Sequence, residues 1–209
     1  PTMARKTKAE AALTKEKIIQ SARAVFNRRG VSSTSLEEVA TEANVTRGAV
    51  YWHFKNKADL FRAVRSQTGR LLQLNQKSHG DALFKLENGL LAALHRLETD
   101  SDARKTFEVM LWHCEFVGEF ASVRNELISS GRDFLQEITS LYREALSEKI
   151  ISPHSDPEII ALDTYFFFTG LLKIWLAENR QGQVHQRAAE VIRTHVKNKR
   201  WSSKSDKRL

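Results

Sequence analysis

The sequence predicts an all-α protein, and three observations support that. Prolines number three, at Pro1, Pro153 and Pro157, and glycines number nine, which is too little punctuation for many short strands joined by tight turns. Apolar residues recur at helical spacing, as in Ile18, Ala22, Val25 and Phe26. A length of 209 residues with 41% hydrophobic and 28% charged residues suits a soluble globular chain with a real core.

The elements follow in order. Pro1 and Thr2 precede Met3 and read as an added remnant; residues 4–13 are polar and read as loosely ordered. Thr14 is a candidate N-cap for a first helix. Gly30 ends it after Arg28 and Arg29, whose charges suit the negative C-terminal end. Ser35 with Glu38 three positions on is a capping box for a second helix carrying Leu36, Val39, Ala40 and Ala43. Asn44 stands where the chain turns and tolerates the left-handed conformation. Thr46 caps a third, short helix holding Val50, and Asn56 caps a fourth running from Lys57 towards Leu74. Longer helices are expected over residues 81–99, 102–114, about 122–148, 157–179 and 184–196. Asp156 before Pro157 is an N-cap followed by proline at the first helical position.

Three short helices within about forty residues have the spacing of a helix-turn-helix. Ala40 is small where two helices cross, and Val45 and Val50 pin the third helix onto the second. Its outward face is then Arg47, Gly48, Ala49, Tyr51, Trp52 and His53. Gly48 leaves room for a partner to approach the backbone closely, and helix N-termini attract phosphate. Charge is divided to match. Residues 1–79 carry 15 Lys/Arg against 6 Asp/Glu (+9), residues 80–192 carry 11 against 18 (−7), and residues 193–209 carry 7 against 1 (+6). A basic head on an acidic body points to a polyanion, though charge alone does not separate nucleic acid from a membrane surface.

Two segments carry a resemblance: Val31-Ser32-Ser33-Thr34-Ser35-Leu36, and the run Ala43-Asn44-Val45-Thr46-Arg47-Gly48-Ala49-Val50-Tyr51-Trp52-His53-Phe54-Lys55-Asn56-Lys57. Together they resemble the DNA-binding domain of the tetracycline-repressor (TetR) family. Ala4-Arg5-Lys6-Thr7-Lys8 and His113-Cys114-Glu115-Phe116 are similar to the branch that represses multidrug efflux operons. The chain departs from the usual pattern at Asn44, where glycine is common, and at His113, where that branch often has lysine.

The resemblance implies a helix-turn-helix head over 4–57, a ligand-binding and dimerisation body over 58–200 and a basic tail over 201–209. It implies a homodimeric repressor of palindromic operator DNA, released by a hydrophobic small-molecule effector and controlling a multidrug efflux operon. By position in the motif, Arg47 contacts a base edge, its fork matching guanine O6 and N7. Thr34, Ser35, Thr46, Tyr51, His53 and Lys57 contact phosphates, with Gly48 and Ala49 on the same face. Trp52 touches a thymine methyl or packs on the sugar backbone, with a core role competing for Trp52 and Phe54. Arg5, Lys6 and Lys8 form an arm into the minor groove or a solvated tail. A dimer also follows physically, because one short helix reads too few bases.

In the body, the helix over 157–179 is apolar nearly all round, so it must meet its own core and another surface. With the last amphipathic helix it resembles the pair that forms the family's four-helix dimer interface. Phe107, Leu111, Phe134, Ile138, Tyr165, Phe168 and Thr169 fall where similar efflux repressors line a ligand cavity, against the alternative of an ordinary filled core.

Other chemistry finds little support. His113, Cys114 and Glu115 are adjacent, so on a helix they diverge and do not chelate one metal. No Walker loop, dinucleotide fingerprint or metalloprotease helix occurs, so neither an enzyme nor a cofactor is expected. The most apolar stretch, 165–177, is interrupted by Thr169, Gly170 and Lys173, so no membrane partner is expected. A single cysteine fits the reducing cytoplasm. The competing readings are a constitutive architectural DNA-binding protein without an effector and a peripheral membrane protein using the basic head.

Overall fold

The computed structural model describes residues 8–68, 72–74 and 79–201, and within them every regular element is helical. In chain order these are α1 (Lys8–Arg29), α2 (Leu36–Glu42), α3 (Arg47–His53), α4 (Lys57–Gln67), α5 (Ala82–Thr99), α6 (Ser101–Trp112), a 3₁₀ turn (Gly118–Phe120), α7 (Ala121–Ser147), α8 (Pro157–Ala177) and α9 (Gln183–Lys197). Pro1, Thr2, the proposed arm residues Arg5 and Lys6, and the tail from Ser202 onward lie outside the described residues. The chain forms two compact units, one within Pro1–Arg70 and Asp100–Glu126, the other within Leu71–Thr99 and Leu127–Leu209.

The first unit packs the 22-residue α1 against short helices with strong local signals. Ser35 accepts from the Glu38 N–H at 3.2 Å while Glu38 Oε2 accepts from the Ser35 N–H at 2.7 Å, so the capping box is closed on both sides. That backbone hydrogen bond, reinforced by Arg29, holds the Glu38 carboxyl below its ordinary pKa. Thr46 caps α3 by accepting from the Ala49 N–H at 3.2 Å, and Asn56 caps α4 by accepting from the Asp59 N–H at 2.8 Å. Asn44 takes φ 48° at the turn between α2 and α3, and Gly30 takes φ 83° at the end of α1. The core is apolar and aromatic: Ile18, Val25, Phe26, Val39, Val50, Leu60, Phe61 and Val64 are buried, and the Phe61 ring stands 6.2 Å from Phe26 and 5.9 Å from Phe120.

Two expectations are corrected here. α1 starts at Lys8, not after Thr14, whose hydroxyl donates back to the Glu10 carbonyl at 2.8 Å from inside the helix. α4 stops at Gln67 with Thr68 as its C-cap, short of Leu74. The buried face of α4 (Leu60, Phe61, Val64) packs within the same compact unit as α1.

The second unit is built from longer helices. Leu83, Leu86, Leu90, Leu94 and Leu97 give α5 one buried face, and Lys85 pairs with Glu144 of α7 at 2.7 Å. Asp156 caps α8 by accepting from the N–H groups of Glu158 and Ile159 at 2.9 and 3.3 Å. Inside, the Trp175 ring stacks on His185 at 4.3 Å, and the buried Tyr142 hydroxyl meets Thr164 Oγ1 at 2.7 Å. Thr164 also lies 3.0 Å from His195 Nε2, and the His195 ring stacks on Phe167 at 3.9 Å. Desolvation pushes the Tyr142 phenol up to about 12, so it stays protonated in this chain of contacts.

α8 has two unlike faces. Ala161, Thr164, Phe168, Leu172 and Trp175 are buried, whereas Ile159, Phe166 and Ile174 are exposed, Phe166 by 64%. By length and composition alone α8 suffices to cross a membrane, although Thr169, Gly170 and Lys173 interrupt its apolar run.

Candidate nucleic-acid interface

The exposed side of α3 is fixed by what its other side buries. Val50 is fully enclosed and Phe54, at the helix end, is nearly so. Ala43 is buried beneath the turn, and the Val45 N–H donates to the Ala40 carbonyl at 3.0 Å, seating α3 on α2. The flank of α3 opposite Val50 is therefore outward. Arg47 is 66% exposed, Tyr51 45% and Trp52 73%. The competing core role therefore falls to Phe54 and not to Trp52. Such large aromatic exposure on a seven-residue helix has no packing purpose within the chain.

The exposed groups are mutually ordered. The Arg47 guanidinium lies 5.2 Å from the centre of the Tyr51 ring, and its Nε donates to Glu37 Oε1 at 2.8 Å. His53 is half-buried, with its ring edge-on to Trp52 at 4.5 Å. A Cβ added at Gly48 would meet nothing closer than Thr46 Oγ1 at 4.0 Å, so nothing in the chain itself demands a glycine there. Ala49 is half-buried and small, leaving the first turn of α3 low in profile.

Other expected contacts are placed differently. Thr34 is 2% exposed and its hydroxyl donates to the Gly30 carbonyl at 2.7 Å, so it braces the α1–α2 connection instead of facing outward. The Lys57 ammonium donates to the carbonyls of Ser32 and Thr34 at 3.0 and 2.9 Å and so ties α4 to the same connection. Both are buried or committed because a tight connection leaves backbone carbonyls that need donors. Ser35 and Thr46 are exposed, each with its hydroxyl already engaged in a cap.

The sequence reading missed a polar cluster behind this surface. Arg23 is buried, yet every edge of its guanidinium is used. It donates to Thr106 Oγ1 at 3.2 Å, Gln20 Oε1 at 2.8 Å and Gln67 Oε1 at 2.9 Å, and it pairs with Asp102 at 2.5 Å. One side chain thereby joins α1, α4 and α6. The available signal was phase: Arg23 lies on the stripe that also carries Ile19 and Phe26.

The residues expected at a ligand cavity fall in both units. Phe107 and Leu111 stand on α6 in the first. In the second, Phe134, Ile138 and Phe168 are fully enclosed, and the Phe134 ring lies 6.2 Å from Tyr165 and 6.1 Å from Phe168. The Tyr165 hydroxyl sits where a Cβ on Gly131 would fall, 2.7 Å away, and Thr169 donates to the Tyr165 carbonyl at 2.8 Å. Burial pushes the Cys114 thiol up to about 11, which removes it as a nucleophile at neutral pH. Among the described residues no group of three or more His, Cys, Asp or Glu is placed to hold a metal ion.

Residues 18–64 match the family model described as bacterial regulatory proteins, tetR family, and residues 81–199 match the C-terminal region of MAATS-type transcriptional repressors. The chain is 34% identical over 195 residues to the HTH-type transcriptional regulator AcrR of Shigella flexneri, covering 91% of each chain. It is 33% identical over 201 residues to the HTH-type transcriptional repressor BepR of Brucella suis biovar 1, covering 94% of this chain and 96% of that one. Among solved structures, NalD of Pseudomonas aeruginosa, the secondary repressor of the MexAB-OprM multidrug efflux pump, superposes with a TM-score of 0.80 at 28% identity. The match covers 94% of this chain and all of NalD.

Proposed function

This chain belongs to the TetR family of bacterial regulatory proteins, and from that premise we propose that it acts in the cytoplasm as a homodimeric repressor of a multidrug efflux operon. It is a transcriptional regulator, not an enzyme. Two copies of α3 enter successive major grooves of a palindromic operator, about 34–36 Å apart. Arg47 reads a base edge while Tyr51, Trp52, His53, Ser35 and Thr46 meet the backbone and sugar, with Gly48 and Ala49 allowing close approach. Thr34 and Lys57 act one step back, holding the α1–α2 connection to which the reading helix is anchored. The observation that carries this reading is the outward flank of α3, with Trp52 73% exposed over a buried Val50.

The outer face of α8 supports the dimer. Ile159, Phe166 and Ile174 are exposed along it, and a groove of about 700 Å³ between α8 and α9 is lined by Phe167, Leu171, Val184 and Val191 among others. A second copy of the same pair of helices would cover this surface, which assigns the apolar length of α8 to protein and not to lipid. A hydrophobic effector contacts Phe134, Ile138, Tyr165, Phe168 and Thr169 of the second unit, and it acts by binding the DNA-free conformation more tightly than the DNA-bound one.

The test is a mobility shift on the intergenic DNA upstream of the chain's own gene, with and without a panel of hydrophobic drugs. Selective binding that one or more drugs release is the expected result. Selective binding that no drug shifts would leave a constitutive regulator, and binding without sequence preference would remove the operator-reading role.

A further inference from the structure

The acidic residues of α2 are all paired to arginines, but to arginines of two kinds. Glu42 pairs with Arg28 at 2.9 Å and Glu38 pairs with Arg29, both at the end of α1. Glu37 instead holds Arg47, the residue assigned to base reading, with Oε1 at 2.8 Å from Nε. The Arg47 guanidinium is thus held between a carboxylate on one side and the Tyr51 ring on the other.

Resting on the repressor reading above, we propose that Glu37 is a specificity-determining residue: it occupies Arg47 until a matching base edge displaces it. The physical case is a competition. A phosphate offers Arg47 a single charged acceptor in high dielectric, much as Glu37 does, so exchanging one for the other gains little. A guanine edge offers two aligned acceptors at fixed spacing, which a bidentate guanidinium fits and one carboxylate contact does not match. Glu37 therefore lowers affinity for unrelated DNA more than affinity for the operator. It also places a negative charge beside the reading helix, which repels any duplex that does not compensate by a specific contact. The pair is exposed on both sides, so its loss should leave the fold intact.

The experiment compares full-length wild-type protein with E37Q, E42Q, R47A and the double variant E37Q/R47A. Binding is measured by fluorescence anisotropy to a mixed-sequence 30-base-pair duplex and to the upstream intergenic fragment across a salt series. E42Q is the control, because it removes the same charge from the same helix without touching Arg47. E37Q is expected to bind mixed-sequence DNA about three- to tenfold more tightly, with the salt slope steeper by about one. Its preference for the intergenic fragment should fall correspondingly. E42Q should change much less, and the gain should vanish in E37Q/R47A.

An equal gain in E42Q, a gain that survives in the double variant, or no change in E37Q overturns the proposal while leaving the repressor reading intact. Wild-type protein with no preference for its upstream fragment overturns both.

Discussion

The two units of this chain are stabilised in different ways. The first packs one 22-residue helix, α1, against short helices whose ends are tied down one by one, by Ser35 with Glu38, by Thr46 and by Asn56, around a small aromatic core and the buried charge of Arg23. The second is made of long helices with fewer end devices and an interior of large rings, Phe134, Tyr142, Phe168 and Trp175. Seven-residue helices such as α2 and α3 are too short to persist on propensity alone, so each needs its cap. A 21-residue helix such as α8 gets its stability from burial and tolerates an exposed apolar stripe. The difference separates short helices held at their ends from longer helices held by burial.

That contrast predicts where substitutions act. Phe134→Ala should have the largest effect, about 3–5 kcal/mol of unfolding free energy, because the ring packs on both Tyr165 and Phe168 with no exposed edge. Urea denaturation checks this, and a loss under about 1 kcal/mol would mean that the rings are loosely packed. Arg23→Ala comes next, at about 2–3 kcal/mol, below the usual cost of breaking a buried pair because Asp102 keeps access to water. The same denaturation curve should show this smaller loss, although the substitution removes no aromatic contact.

Arg47→Ala should leave the denaturation curve unchanged and remove about 1–3 kcal/mol of operator preference by mobility shift, sparing the salt-dependent background. Normal operator selectivity in that variant would transfer base reading to another residue. Ser35→Ala should cost about 1 kcal/mol by loss of the α2 cap, again read by denaturation.

The smallest effect concerns pH. Desolvation, assisted by Lys199 and opposed by Asp163, holds the His195 pKa below its ordinary 6.5. A histidine with a depressed folded pKa binds fewer protons in the folded state. Its contribution is therefore intact above pH 6.5 and is lost as pH falls through that value towards the folded one. Stability measured from pH 7.5 downward should decline in this window, and His195→Gln should flatten that part of the profile.

Most of the first unit was legible because its signals are local. Ser35 with Glu38, Asn44, Thr46 and Asn56 each act within three or four residues of chain, the range over which spacing carries information. The outward flank of α3 followed from Val50 and the helical period. Three features were not legible. Thr14 looked like a cap but turned its hydroxyl back to Glu10, since the same side chain serves either role. Thr34 and Lys57 matched the motif for phosphate contact, yet the carbonyls of the α1–α2 connection took them up. The Arg23 cluster joins residues 44 and 83 positions apart, beyond any local pattern.

By itself, then, the sequence determined which segments are helices, where most of them start, and which flank of α3 faces away from the core, because propensity, capping and periodicity are short-range physics. The tertiary structure alone decided that α4 and α6 join α1 through one buried guanidinium, that Glu37 holds Arg47, and that α8 leaves Ile159, Phe166 and Ile174 uncovered. Those facts depend on which distant groups satisfy a buried charge or cover an apolar face, and chain spacing carries no record of that choice.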